Sequence, residues 1–154
     1  MIVLPRGITG FTNRKDPPLP VSIEKRQFRT DCYQVARQCN AAVRSIDEPS
    51  GVENFRTTEI AIGDENILIL LNVHFPYLAM AQVRHVGDLT LNFIDVPALA
   101  SAFSAIDRYQ VLTADDLAHP INESMVGNLS KAELHQMNYW KPQTMGEVIF
   151  NYWD

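Results

Sequence analysis

Cysteine, long apolar runs and basic residues in the C-terminal two-thirds are all scarce in this chain, and each scarcity excludes something. Cysteine occurs twice, at Cys32 and Cys39. Seven helical residues span roughly 10 Å at about 1.5 Å per residue, which exceeds the reach of a disulfide. The expectation is two small apolar residues on the buried face of a helix rather than a redox pair or half a metal site. The densest apolar run is the five residues 67–71, against roughly 20 needed to cross a bilayer, so no membrane span is expected. The opening Met1-Ile2-Val3-Leu4 meets Pro5 before it could form the core of an export signal. A cytoplasmic location follows as an expectation, and the sequons at Asn122 and Asn128 then carry no weight.

Charge is unevenly spread. Residues 1–45 hold eight Lys or Arg against three acids, a balance of +5, whereas residues 46–154 hold five against fifteen, a balance of −10. An acidic body repels phosphate backbones and attracts basic partners, so nucleic acid is not an expected ligand and a basic protein is a possible one. Short catalytic signatures are also missing: no nucleophile elbow, phosphate-cradling glycine loop, dinucleotide fingerprint or paired-histidine zinc motif is present as a spaced pattern. No catalytic residue, metal ligand or cofactor is therefore assigned.

The remaining composition is that of a folding chain. At 154 residues, 46% hydrophobic and 20% charged, it should form one domain over 1–154 and bury a substantial core. Residues 5–20 mix glycine, proline and basic residues and read as a surface loop. Apolar residues then recur at Phe28, Cys32, Val35, Ala36 and Cys39, which predicts an amphipathic helix over 23–40 with Ser22 as its N-cap. Strands are expected over 42–46, 55–62, 67–73, 78–84 and 89–95, with a turn at 47–51 and hairpin turns at 63–66 and 85–88. A short helix should start after Asp95 at Val96-Pro97, followed by a strand over 109–112 and a helical turn capped at Thr113. Ser130 with Glu133 and Thr144 with Glu147 are capping-box pairs and announce two final helices. Their meeting at Lys141-Pro142-Gln143 resembles a helix-turn-helix, but residues 145–154 have no Lys or Arg, so the last helix should be core, with Val148, Ile149, Tyr152 and Trp153 turned inward. The fold class is α+β: an antiparallel sheet of four to six strands, with the first helix and the C-terminal helices covering one face.

Candidate binding groups are few. Asn72 and His74 stand at the end of an apolar central strand and could project into a cleft; Arg6 in the N-terminal loop and Arg84 at the end of the fourth strand could join them. The other histidines, His85, His119 and His135, have no ligand neighbour at metal spacing.

The N-terminal Ile-Val-Leu-Pro-Arg-Gly-Ile-Thr-Gly-Phe (residues 2–11) and the C-terminal Gly-Glu-Val-Ile-Phe-Asn-Tyr-Trp-Asp (146–154) resemble those of a family of short bacterial proteins of unknown function. The resemblance carries no site residue with it. In size, acidity and lack of motifs the chain is also similar in character to bacterial immunity proteins. Two functional expectations follow: a non-catalytic binding protein, an immunity-type factor for a basic protein; alternatively a small enzyme or ligand-binding domain with a cleft near the end of the central strand.

Overall fold

The computed structural model describes residues 2–47, 51–84 and 90–153; the expected turn at 85–88 and part of that at 47–51 lie outside them. The order is α1 (Lys25–Gln38), β1 (Ala42–Asp47), β2 (Phe55–Ile62), β3 (Glu65–Asn72), β4 (Tyr77–Gln82), β5 (Phe93–Ile94), α2 (Pro97–Ala105), β6 (Gln110–Val111), α3 (Ala114–Ala118), α4 (Glu123–Val126), α5 (Lys131–Trp140) and α6 (Met145–Ile149). The fold is α+β. Strands β1 to β5 form an antiparallel meander in chain order, and β6 pairs in parallel with Tyr77 and Leu78 at the start of β4, whose Met80 and Ala81 pair with β5. Gly63 takes φ of 58° in the two-residue turn between β2 and β3, a conformation that glycine adopts without a steric penalty.

Strand alternation divides the interior in two. Ile67, Ile69 and Leu71 of β3 face one side with Ile60, Leu78 and Met80; α1 and α2 cover them with Phe28, Cys32, Val35, Leu99 and Phe103. Leu70, Ala79 and Ala81 face the other side, under the N-terminal loop and α3 to α6, where Leu4, Ile8, Leu117, Val148, Ile149, Phe150 and Trp153 are buried. The first helix and the C-terminal helices thus lie on opposite faces, not on one. An uninterrupted apolar strand conceals this, because both faces of β3 need apolar residues when helices cover both.

Local capping also departs from expectation in two places. Glu24, not Ser22, occupies the N-cap of α1, and the Ser22 N–H instead donates to the Val73 carbonyl at 2.9 Å. Asp95 precedes the Val96 N-cap of α2 and accepts from the Ala114 N–H at 2.9 Å, tying β5 to α3. The boxes at Thr113, Ser130 and Thr144 all form. No helix among the described residues is long and apolar enough to cross a membrane.

Candidate functional site

The end of β3 is closed by amides rather than opened into a cleft. Asn72 is fully buried; its side-chain NH2 donates to the Ile8 carbonyl at 3.1 Å and the Ile149 carbonyl at 2.7 Å. Its oxygen accepts from the His74 and Phe75 N–H groups. Asn54, just before β2, donates to the same two carbonyls at 2.9 and 3.0 Å and accepts from the Asn151 N–H at 2.8 Å. Asn151 in turn donates to the Thr9 and Val148 carbonyls. These carbonyls belong to the N-terminal loop and to the last turn of α6, where helical C=O groups have no partner of their own. Three asparagines therefore bind the two ends of the chain to the sheet.

Glu133 fastens the same loop from α5. It is fully buried, and its carboxylate accepts from the Gly7 N–H at 2.8 Å, the Thr9 N–H at 3.1 Å, the Thr9 hydroxyl at 2.7 Å and the Ser130 N–H at 3.1 Å. Gly7 and Gly10 take φ of 99° and 87°, and these left-handed turns bring the loop's N–H groups round to the carboxylate.

Two recesses lie against this closure. The smaller, of about 370 Å³, is lined by Gly10, Phe11, Glu53, His74 and Trp153 among others. His74 Nδ1 lies 2.9 Å from the Pro20 carbonyl; a carbonyl only accepts, so Nδ1 carries the proton, and in the neutral ring Nε2 is left as an acceptor. Phe11 and Trp153 form an aromatic pair with centroids 6.4 Å apart.

The larger recess is an open cleft of about 1330 Å³. It exists because the helical layer covers only half of its sheet face. Along β2 that face runs from buried Phe55 to half-buried Thr57 and Glu59, so the far half of the strand offers no apolar seat for a helix. Thr57, Glu59 and Leu68 line the cleft from the sheet, and Trp140, Asp115 and Glu147 line it from the helical layer. Arg84 also lines it, with its guanidinium carbon 4.7 Å from the Tyr152 ring centroid. Among the described residues, the charged ones lining it are Glu53, Glu59, Asp115 and Glu147 against Arg84 and Lys141. The exposed pair Tyr139 and Trp140 stands at its edge, packed edge to face at 5.2 Å. Val52, Glu53 and Trp153 line both recesses, which are therefore neighbours.

The four residues singled out in the sequence are thereby separated. Asn72 and His74 meet through the His74 N–H, Arg84 lies along the large cleft, and Arg6 is exposed on the N-terminal loop. Sequence reasoning missed Phe11, Glu53, Glu59 and Trp153; clustering of carboxylates with aromatics was the available signal, but it arises from segments far apart in the chain.

A further buried polar cluster occupies the opposite face. Asp31 accepts from Gln27, from Arg108 at 3.0 Å to each oxygen, and from the Tyr109 hydroxyl. Burial first, and then the Asp31 carboxylate, push the Tyr109 phenol upward. This cluster joins α1 to the segment before β6. Cys32 beside it is buried against Thr58, and burial pushes its thiol up to about 12, opposite to the shift that activates a nucleophile. Both cysteines are free thiols. Among the described residues, no three His, Cys, Asp or Glu side chains are grouped so as to hold a metal ion. No protein-family model, no curated protein and no solved structure matches the chain.

Proposed function

We propose that this chain is a non-catalytic binding protein of the bacterial cytoplasm, an immunity-type factor that neutralises a basic protein partner by seating it across the large cleft. The observation that carries this reading is the cleft itself: among its described lining residues, four carboxylates stand against two cations, on a surface that also offers Leu68 and Trp140. Apolar contact supplies affinity in such an interface, and complementary charge supplies rate and selectivity. The −10 balance of residues 46–154 extends the same field around the cleft.

The test is capture from an extract of the native host at about 50 mM and about 0.5 M salt, a range over which screening shortens the reach of exposed charges several-fold. A basic protein should be held at low salt and largely released at high salt. The charge-reversed variant Glu59→Lys/Asp115→Lys should hold it at least about tenfold less tightly. Recovery of no protein at low salt, or of a partner indifferent to the double variant, rejects the reading.

A further inference from the structure

We infer that the basic outer face of α1 docks into the large cleft of a second copy of this chain, so that copies join head to tail. The inference uses the cleft of the reading above but needs no foreign partner.

The two surfaces carry opposite charge, and each is left open by its own molecule. In α1 the exposed Arg26, Arg29, Tyr33 and Arg37 recur at intervals of three and four residues, which places them on one side of the helix. Arg29 lies over the Tyr33 ring at 5.9 Å, and Tyr33 stays 42% exposed in the middle of this basic stripe. The one acid in α1, Asp31, is buried and bound by Gln27, Arg108 and Tyr109. Among the described residues, no hydrogen bond or ion pair engages the guanidinium of Arg26 or Arg37, or the carboxylate of Glu59 or Asp115 in the cleft. Glu53 and Arg84 have partners already, and Glu147 serves its capping box. With Lys141 included, the described lining of the cleft is net acidic whether these engaged groups are counted or not. Val52, Val83 and Trp140, all exposed large apolar side chains, line the cleft with Leu68. They offer apolar contact to Tyr33 and to the alkyl stems of the arginines.

The sheet keeps the two surfaces apart. Glu59 pairs with Leu68 in the β2–β3 register, next to the pair Ile60 and Ile67. The first pair lines the cleft and the second lies under α1 and α2. Successive strand residues point to opposite faces, so the stripe and the cleft look in opposite directions. A chain therefore cannot close the contact on itself, and two copies cannot satisfy both of their stripes at once. A heterologous contact of this kind propagates into a ring or an open filament. The net charge of −5 opposes approach at long range, and exposed ion pairs each add little, so the dissociation constant should be on the order of 100 μM.

Sedimentation equilibrium of the intact chain from about 10 μM to about 1 mM, at about 50 mM and about 0.5 M salt, tests this. At low salt the weight-average mass should rise with concentration from 17.4 kDa to beyond that of two chains, and at high salt it should stay near that of one. Arg26→Gln/Arg37→Gln and Glu59→Gln/Asp115→Asn neutralise one surface each at positions outside the core, and each variant alone should associate at least about tenfold more weakly. Mixed in equal amounts, the two should associate more strongly than either does alone, because each retains the surface that the other lacks. A native chain that stays monomeric at low salt, a native mass that levels off at two chains, association undiminished in either variant, or a mixture no heavier than its components overturns the inference. Failure of the broader reading shows separately: capture from the extract then recovers no partner while the native chain still self-associates.

Discussion

Glu133 offers the sharpest test of how this fold is held. It occupies the third position of a capping box, where it satisfies the Ser130 N–H, and it also takes three donors from the N-terminal loop more than a hundred residues away. In Glu133→Ala, the N–H groups of Gly7, Thr9 and Ser130 lose their acceptor in a site without solvent access. At about 1–3 kcal/mol for each abandoned buried donor, the cost is roughly 3–9 kcal/mol. Glu133→Gln keeps one oxygen for two of these donors, but turns an NH2 toward the Thr9 N–H; its cost should be about 2 kcal/mol. Glu147→Gln is the matched control, because Glu147 fills the same box position in α6 on an exposed surface, and should cost only about 0.5–1 kcal/mol. Urea unfolding followed by circular dichroism measures all three. A chain of this size shifts its Tm by about 2–4 °C per kcal/mol, so Glu133→Ala should fall by at least roughly 6 °C. A Glu133→Gln protein no less stable than Glu147→Gln would refute the claim that this carboxylate clamps the loop.

Three other expectations follow from single observations. A Cβ at Gly146 would lie 2.6 Å from Phe93 Cε2 and 3.1 Å from the Leu117 carbonyl oxygen, so Gly146→Ala should lose about 1–3 kcal/mol by thermal melting despite alanine's better helix propensity, and a neutral effect would contradict this packing. Among the described residues the buried Tyr152 hydroxyl has no hydrogen-bond partner; Tyr152→Phe should therefore be neutral or stabilising by up to about 1 kcal/mol, and a clear loss of stability would expose a hidden partner. Burial raises the Cys32 thiol from 9.0 to about 12, so its contribution is complete below pH 9 and is lost as pH rises toward 12, where the unfolded thiol ionises first. Stability measured over that window should fall more steeply in the native protein than in Cys32→Ala, and parallel curves would remove the assignment.

Much of this architecture can be read from local grammar. Phe55 to Ile62 is rich in β-branched residues and ends at Gly63-Asp64, and the observed β2 has those bounds. Ser130/Glu133 and Thr144/Glu147 announce α5 and α6 because a capping box lies within four residues. What could not be read depends on distance. Ile67 to Leu71 is apolar on both faces, so nothing local says that α1 and α6 lie on opposite sides of it. The two-residue β6 is held by β4, some thirty residues earlier. Asn72 had the composition of a cleft residue, but its amide belongs to two carbonyls 64 and 77 residues away. Glu133 was legible as a cap; its burial was not, since a carboxylate seldom goes inside without donors and these come from the other end of the chain. The candidate site was legible only in His74 and Arg84. The acids and aromatics that give it character are brought together by the tertiary fold.

The two terminal segments that stand out in the sequence have a physical reason to be specific. The Ile8 and Ile149 carbonyls each accept from both Asn54 and Asn72, so loss of either segment strands donors on both asparagines at once. An apolar substitute for one asparagine would leave its partners' buried groups unpaired, which makes the network strongly all-or-none. It closes loops of up to 142 residues, and such contacts come at a large entropic cost before they yield any bond. They should therefore form late in folding, after the local β2–β3 hairpin. Phe11 is the last residue of the first of these segments and Trp153 lies within the second, and the two line the small recess, with Trp153 also facing the cleft. The surface proposed for binding would thus be assembled by the same step that closes the fold, and a chain unable to join its terminal segments to the sheet should lose both recesses.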